Sequence, residues 1–284
     1  MFARNPSRLL EAFALERNRY VYLIGGGGKT SLMFTLARVL GSAGCSVLTT
    51  TSTRIRYPGS GESDRVVVAP LDAGLIERLR VELVGRRHLT VAPSLLHEEQ
   101  KLCGFASAEL DALADTRVAD YLLVEADGAA GRSLKTHLDH EPVLSDRADL
   151  VIVVIGVDCV GRPMSDRYVH RAELFRERLG RLPGSLITAE DIAAIVFHPE
   201  GYLKRVGRDS AVAVFLNKVG TPVTEGQARG VAEALKRRDQ AHRVFAIGIG
   251  DARDAASIRG QLPNRPSEVQ AWPEAQSDGP PGAA

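Results

Sequence analysis

Four consecutive glycines followed by a lysine and a threonine are the residues of this chain best suited to bind phosphate. Glycine has no Cβ, so successive backbone N–H groups can turn towards an anion, and a helix that begins there adds the partial positive charge of its N-terminus. We expect the lysine to reach the outer phosphates of a nucleotide and the threonine hydroxyl to hold Mg²⁺. The residues assigned to this site are Gly25, Gly26, Gly27, Gly28, Lys29, Thr30 and Ser31.

The spacing of this motif is shorter than that of the common phosphate loop, GxxxxGK[ST]. Leu23 occupies the position of its first glycine, so the chain carries GxxGKT at residues 25–30. This spacing resembles the loop of the Mur ligases and folylpolyglutamate synthetases more than that of GTPases. A glycine-rich turn with a solvated lysine is the alternative. However, an apolar run precedes the loop and a helical pattern follows it, which is the context that a phosphate loop requires.

A second chemical site is indicated by the sequence YLLVEAD at residues 121–127. An apolar run that ends in an acid is typical of a strand that points a carboxylate at the Mg²⁺ ion of a phosphate loop. Because side chains alternate along a strand, Glu125 and Asp127 are expected on the same face. One of the two would bind Mg²⁺ and the other would orient the attacking group. The sequence leaves open which carboxylate does which.

Further polar residues lie where an α/β sheet brings its loops to a ligand. The residues expected as substrate or switch contacts are Thr51, Arg54, Lys101, Arg132, Lys135, His170 and Arg171. A structural or solvated role is the alternative for each, because threonine is common in strands, exposed lysines are usually solvated and arginines often form surface ion pairs. Two glycines, Gly128 and Gly131, precede Arg132, and we expect this loop to move when nucleotide binds.

Base recognition is expected at Asn217 and Lys218. The sequence NKVG at residues 217–220 resembles the NKxD motif, in which the asparagine and lysine shape the base pocket and the aspartate reads guanine. Gly220 stands at the aspartate position, so the group that selects guanine is missing. We therefore expect ATP or GTP as the nucleotide, with ATP favoured.

The elements that would position these residues alternate between strand and helix along the chain. The run at residues 150–157 is apolar throughout, as in a central parallel strand covered on both faces. The sequence predicts an α/β fold with a doubly wound, mainly parallel sheet of the P-loop NTPase type. Residues 1–261 are expected to form a single nucleotide-binding domain, with an N-terminal packing helix within residues 1–18. Residues 262–284 are expected to be a disordered tail.

Composition argues against several classes of protein. The 284 residues are 44% hydrophobic and 25% charged, and the formal net charge is +1, so neither nucleic acid nor a membrane surface is indicated as a partner. The three cysteines are widely spaced and form no CxxC pair, which gives no sign of a zinc site or a disulfide framework. The longest apolar run is too short to cross a bilayer. A cytoplasmic protein is expected.

These motifs, together with others in a fixed order, resemble the YqeC family. The matching blocks are GGGGKTS at 25–31, TTTSTRI at 49–55, KLCG at 101–104, VEADGAAGRSLK at 124–135, HEPV at 140–143, VHRAELF at 169–175 and LNKV at 216–219. The resemblance covers nearly the whole chain except the N-terminal helix and the C-terminal tail. It implies an accessory protein of selenium-dependent molybdenum hydroxylases, with a molybdenum hydroxylase or its maturation machinery as partner. Gly220 departs from an aspartate common in the family.

The leading hypothesis joins the motifs to this resemblance. It is a Mg²⁺-dependent maturation factor that hydrolyses a nucleoside triphosphate, with Lys29, Glu125 and Asp127 as catalytic residues. One alternative is a kinase or ligase that transfers a phosphoryl group to a small acceptor. The other is a carrier or docking protein that does not hydrolyse nucleotide and uses it only as a conformational switch.

Overall fold

A nine-stranded sheet organises the computed structural model, which describes residues 7–261. Within these residues the strands are β1 (Tyr20–Gly25), β2 (Val47–Thr51), β3 (Arg54–Arg56), β4 (Arg65–Val68), β5 (His88–Ala92), β6 (Ser94–Leu96), β7 (Lys101–Cys103), β8 (Tyr121–Glu125), β9 (Leu134–Lys135), β10 (Leu150–Gly156), β11 (Val169–His170), β12 (Ala211–Asn217), β13 (Val244–Asp251) and β14 (Asp254–Gln261). The helices are α1 (Ser7–Ala12), α2 (Lys29–Ser42), α3 (Ala73–Val84), α4 (Ser107–Asp115), α5 (Ala172–Leu179), α6 (Ala189–Val196) and α7 (Pro222–Arg238), with a 3₁₀ turn at Val157–Cys159.

The order of the strands places β1 at the centre of the large sheet. That order is β14-β13-β12-β10-β1-β8-β2-β5-β4, and every neighbouring pair is parallel except β13 and β14. Glu125 at the end of β8 lies in register with Leu23 of β1 and with Thr51 of β2. The carboxyl ends of parallel strands meet at one edge of a sheet. The loops after β1, β2, β8, β10 and β12 therefore converge at that edge.

Two apolar cores lie on opposite faces of this sheet. Tyr22 and Ile24 of β1 belong to one core, and Val21 and Leu23 belong to the other, as the alternation of side chains along a strand requires. Helices α1 and α2 pack into the second core, whereas the buried residues of α3 to α7 pack into the first. Helices thus cover both faces, and the predicted α/β fold with a doubly wound, mainly parallel sheet is confirmed.

The C-terminal end of the sheet differs from the sequence prediction. The sequence pattern predicts the last strand at residues 243–248, but β13 continues to Asp251 and a further strand, β14, returns antiparallel to it. Strand β14 contains few large apolar residues, and Ile258 is the only large buried side chain among residues 254–260. A weak apolar pattern gives little signal for a strand at the edge of a sheet. The expected single domain stays a prediction, and the expected tail at residues 262–284 lies outside the described residues.

Two small sheets lie beside the large one, and the sequence predicted neither. Strands β3, β7 and β6 form an antiparallel sheet of three-residue strands, and β9 pairs with β11. The predicted N-terminal helix is present as α1. No helix within residues 7–261 has both the length and the apolar character needed to span a membrane.

Candidate functional site

The glycine loop, residues 25–28, connects the end of β1 to the start of α2. Three of its glycines have positive φ angles: Gly25 at +100°, Gly27 at +75° and Gly28 at +120°. A Cβ on Gly27 would lie 2.3 Å from the backbone nitrogen of Gly156, and one on Gly25 would lie 2.5 Å from the carbonyl oxygen of Val154. Glycine is required at these positions by backbone conformation and by space.

Most N–H groups of the glycine loop are bonded to the surrounding protein. Gly26 donates to the carbonyl of Val154 at 3.0 Å, and Gly27 donates to the carbonyl of Arg132 at 2.6 Å. Gly25 donates to the carboxylate of Asp127. The donors that remain for an anion belong to the N-terminus of α2, because the first N–H groups of a helix have no partner within it and Gly28 caps α2 without a side-chain bond. The N–H groups left for a bound anion would therefore be those at the start of α2.

Lys29 extends its side chain under this loop. Only 4% of the residue is exposed. Its Nζ donates a 2.6 Å hydrogen bond to the carbonyl of Gly25 and lies 2.9 Å from Oδ1 of Asp127 and 3.8 Å from Oε1 of Glu125. Burial acts to lower the pKa of Lys29, but the charges of Asp127 and Glu125 outweigh it and the pKa is raised. The ammonium group is therefore charged at neutral pH.

Glu125 contacts Thr30, the threonine of the loop motif. The Thr30 hydroxyl donates to Oε2 of Glu125 at 2.6 Å. The backbone carbonyl of Glu125 accepts the Thr51 hydroxyl at 2.7 Å, so Thr51 supports the acidic residue from the next strand. Burial raises the pKa of the Glu125 carboxyl, while Lys29 and the Thr30 hydrogen bond oppose that effect. Two oxygen ligands for a cation, a hydroxyl and a carboxylate, are thus adjacent.

This pair suits Mg²⁺, which binds oxygen ligands and usually takes one or two carboxylates together with substrate phosphates. Within residues 7–261 there is no group of three or more His, Cys, Asp or Glu side chains that could hold a metal ion. A cation at Thr30 and Glu125 would therefore complete its coordination with phosphate and water oxygens. This requirement is met by Mg²⁺ bound to a nucleotide.

Asp127 has a different environment from Glu125. It is completely buried, and its Oδ2 atom accepts the Gly25 N–H at 2.9 Å and lies 2.6 Å from Nε2 of His137. Burial acts to raise the pKa of Asp127, but Lys29 and His137 outweigh it and hold the pKa well below its usual range. Protein groups contact both of its oxygens. Asp127 thus holds the loop and Lys29 in place, while Glu125 lies beside the Thr30 hydroxyl.

An ionic network continues from Asp127 through Lys135 and Glu141 to Arg171, the residue before α5. Lys135 is fully buried, with its Nζ 2.9 Å from Oε1 of Glu141 and 3.9 Å from Oδ2 of Asp127. Glu141 also accepts a hydrogen bond from Arg171 at 2.6 Å. Burial acts to raise the pKa of Glu141, but its bonds to Arg171, to a backbone N–H and to Lys135 lower it to about 2. Burial lowers the pKa of Lys135 and of His137.

The sequence indicated Lys135 and Arg171 but missed Glu141, which joins those two residues, and His137, which contacts Asp127. The signal for Glu141 was present in the block HEPV at residues 140–143, to which no chemistry had been assigned. His137 lies two residues after the block at residues 124–135 and carries no signal of its own. The network is therefore visible only once the loops after β8 and β10 are folded together.

The predicted base-binding residues lie against the glycine loop. Asn217 donates from Nδ2 to the carbonyl of Gly27 at 2.5 Å, and its Oδ1 accepts the backbone N–H of Ala252 at 2.7 Å. Lys218 donates from Nζ to the Ser133 hydroxyl at 2.7 Å and lies 3.0 Å from Oδ2 of Asp158. Asn217 thus supports the glycine loop directly. The sequence missed the two partners of Lys218.

Other predicted contacts lie further from this centre. Arg54 of β3 and Lys101 of β7 are exposed on the three-stranded sheet. Both pair with Glu99, which lies between β6 and β7. Arg132 is half-buried and its Nε donates to the carbonyl of Asp166 at 2.8 Å. His170 is half-buried, and burial lowers its pKa. Ser31 is half-buried in the first turn of α2. Arg54, Lys101, Arg132 and His170 make no contact with Lys29 or Glu125.

Comparison with known proteins identifies relatives over most of the chain. The family described as YqeC protein matches residues 21–173. Uncharacterized protein YqeC of Escherichia coli (strain K12) is 31% identical over 266 residues, an alignment that covers 92% of this chain and 98% of that protein. Among solved structures, chloroplast FtsY from Physcomitrella patens is 15% identical with a TM-score of 0.40. That alignment covers 86% of this chain and 62% of the FtsY chain.

Proposed function

This chain belongs to the YqeC family, and on that premise we propose that it binds a nucleoside triphosphate with Mg²⁺, hydrolyses it, and acts in the maturation of a selenium-dependent molybdenum hydroxylase. The role in enzyme maturation comes from the resemblance of this chain to that family. The biochemical part rests on one observation, which is the contact between the Thr30 hydroxyl and the Glu125 carboxylate at the start of the helix that follows the glycine loop.

Phosphate binding would use the N-terminus of α2 and Lys29. The N–H groups of the first turn point along the helix axis, and the helix dipole adds to their attraction for an anion. To reach a phosphate, the Lys29 ammonium would leave the Gly25 carbonyl, which it contacts at 2.6 Å. Asp127 lies 2.9 Å from the same ammonium group and is bonded to the Gly25 N–H and to His137. Asp127 is therefore a positioning residue in this proposal.

Thr30 and Glu125 would hold the metal ion. When bound, Mg²⁺ would neutralise charge on the β- and γ-phosphates and help to orient them. The protein supplies one hydroxyl and one carboxylate, already 2.6 Å apart. Since Asp127 is completely buried and engaged, we assign the metal to Glu125 rather than to Asp127. Asn217 and Lys218 would form one wall of the base pocket, with ATP favoured because Gly220 offers no carboxylate.

The first experiment is calorimetric binding of ATP and GTP to the purified protein, with and without Mg²⁺, together with phosphate release. We expect Lys29→Ala to lose about 1.5–3 kcal/mol of binding free energy, the contribution of a charge-assisted hydrogen bond. Lys236→Ala is the matched control, because that lysine pairs only with Glu233 on the surface of α7. Glu125→Gln should abolish Mg²⁺-dependent turnover.

Each outcome of these measurements favours one function. Equal nucleotide affinity for Lys29→Ala and the control would contradict the phosphate-loop assignment. Turnover that requires a small acceptor would favour a kinase or ligase, and binding without turnover would favour a nucleotide-operated switch. The partner is tested in cells that lack this chain, where we expect the hydroxylase polypeptide to accumulate without activity. Restoration of that activity by Lys29→Ala would contradict a role for nucleotide in maturation.

A further inference from the structure

Arg56 contacts the helix that begins at the candidate metal and phosphate site, although the sequence favoured Arg54, two residues earlier, as the contact residue. Its guanidinium carbon is 5.6 Å from the centroid of the Phe34 ring, a distance typical of a cation–π contact. Phe34 is four residues after Thr30 in α2, so the two side chains lie on the same face of the helix, one turn apart. The guanidinium group therefore packs on the residue that lies one helical turn, ~5.4 Å along the axis, after the threonine that donates to Glu125.

The chain that leads to Arg56 is fixed to Glu125. The Thr51 hydroxyl and the Ser52 N–H both bond the Glu125 carbonyl, at 2.7 Å and 3.1 Å. Strand β3 begins two residues later and carries Arg56 at its end. Its neighbour two positions earlier, Arg54, is directed to Glu99 on the small sheet. Of the two arginines on β3, Arg56 is the one that contacts α2.

Arg56 is bound by a single acidic partner. Both terminal nitrogens of its guanidinium donate to Glu62, which also accepts the Gly59 N–H at 2.6 Å. The pKa of Arg56 is raised, mainly by these hydrogen bonds, against the effect of burial, and further by the charges of Glu62 and Glu125. The side chain is 48% exposed. It is thus accessible to a ligand and within the electrostatic reach of the Glu125 carboxylate.

We propose that Arg56 is a catalytic residue that leaves Glu62 and binds the γ-phosphoryl group of the nucleotide, stabilising the negative charge of the transition state. This inference rests on the proposed function. The step forms a bond from the oxygen of water to the γ-phosphorus and breaks the bond from that phosphorus to the β,γ-bridging oxygen. The products are the nucleoside diphosphate and inorganic phosphate, and the proton of water passes to solvent. Arg56 stays protonated throughout and acts only through its charge and hydrogen bonds.

An arginine suits this role better than the lysine already in the site. Its planar guanidinium presents two parallel donors to the oxygens of a phosphoryl group, whereas an ammonium acts as a point charge. The Phe34 ring supports one face of the guanidinium, and the paired donors now on the Glu62 carboxylate would match two phosphoryl oxygens equally well. The exchange replaces one anionic partner with another.

The test uses full-length protein, nucleoside diphosphate, Mg²⁺ and aluminium fluoride, which mimics a transferring phosphoryl group. Arginines that act in this way contribute about 10³–10⁵ to kcat, so we expect Arg56→Ala to lower turnover at least ~100-fold while triphosphate affinity changes by less than ~3-fold. We also expect the wild type to bind the diphosphate at least ~100-fold more tightly with aluminium fluoride, as transition-state analogues do. Arg56→Ala should lose this gain and keep its affinity for the diphosphate alone.

Two further variants sharpen the result. Arg80→Ala is the matched control, since Arg80 also pairs with a glutamate but on the exposed face of α3, and it should retain both turnover and the fluoride-dependent gain. Glu62→Gln should retain or raise turnover, because it frees the guanidinium. A loss in Glu62→Gln as large as that in Arg56→Ala would show that the ion pair is needed intact, and would overturn the proposal.

The outcomes separate this proposal from the proposed function. If Arg56→Ala keeps the fluoride-dependent gain while the wild type hydrolyses nucleotide, hydrolysis stands and Arg56 is not catalytic. If Arg54→Ala alone loses the fluoride-dependent gain, the catalytic role belongs to Arg54 and the proposal is contradicted. If the wild type binds nucleotide but gains nothing from aluminium fluoride, both the hydrolytic function and the role of Arg56 are wrong, whereas nucleotide binding stands.

Discussion

Replacement of Asp127 by asparagine should destabilise the fold through the charge that it leaves on Lys29. The wild-type carboxylate is completely buried and lies 2.9 Å from the Lys29 ammonium. Removing one partner of a buried ion pair costs about 3–5 kcal/mol, because the other charge stays buried without compensation. Asparagine retains one oxygen for the Gly25 N–H, and Glu125 remains 3.8 Å from Lys29. We therefore expect the lower end of the range, about 3 kcal/mol.

The loss is measured by urea unfolding followed by far-ultraviolet circular dichroism. With an m-value of about 1–3 kcal/mol per molar urea, the midpoint of Asp127→Asn should fall by at least ~1 M. Lys29→Met in the same background removes the uncompensated charge and should recover part of the loss. The double-mutant cycle should give a coupling energy of about 1.5–3 kcal/mol between the two positions.

The pH dependence of the difference in unfolding free energy between the wild type and Asp127→Asn gives a second check. The pKa of Asp127 is lower in the folded protein than its ordinary value of about 3.9. The unfolded chain therefore takes up a proton first as the pH falls, so the stabilisation is complete above about pH 5 and is lost progressively below about pH 4. The stability of the wild type should approach that of Asp127→Asn in this acidic range. A destabilisation by Asp127→Asn of less than ~1 kcal/mol at neutral pH would refute the reasoning. So would additivity, within ~0.5 kcal/mol, of the effects of Asp127→Asn and Lys29→Met.

Three further predictions concern other buried groups. Burial lowers the pKa of His88 to about 4, so His88 is protonated first in the unfolded chain as the pH falls. The free energy of unfolding should therefore fall by up to ~3 kcal/mol as the pH drops from about 6.5 to 4, and His88→Gln should lose this dependence. An NMR titration of the imidazole measures the pKa directly. Asn217→Ala should cost about 2–3 kcal/mol in urea unfolding, because it leaves the Gly27 carbonyl and the Ala252 N–H buried without their partner. Gly27→Ala should abolish nucleotide binding in calorimetry because its Cβ meets Gly156 at 2.3 Å. Gly131→Ala, with a similar φ of +77° but no atom within 4 Å of its Cβ, should retain binding.

The central part of the fold could be predicted because its signals are local. The apolar run of β1, the four glycines and the helical pattern of α2 are consecutive in the sequence. The uniformly apolar run at residues 150–157 correctly indicated a central parallel strand, which is β10. Each of these signals depends only on residues a few positions apart. Periodicity and turn residues therefore suffice to identify them.

The missed features depend on residues that are distant in the sequence or on short strands. The strands β3, β6 and β7 have three residues each, which is too few to show a period. The sequence predicted Arg54 rather than Arg56 as the contact residue. Alternation puts both on the same face of β3, and it is packing against Phe34 that distinguishes Arg56. The different positions of Glu125 and Asp127 likewise follow from their partners, Thr30 and His137, rather than from the acidic motif itself.

Asn217 has a consequence for the order of events during synthesis. Its side chain joins the carbonyl of Gly27, 190 residues earlier, to the N–H of Ala252, 35 residues later. A ribosome makes the chain from its N-terminus, so the loop emerges long before the residue that fixes it. The loop can reach its final shape only after the turn between β13 and β14 has left the exit tunnel. A nascent chain stalled before that point should fail to retain nucleotide, even though the whole GGGGKTS motif has already been translated.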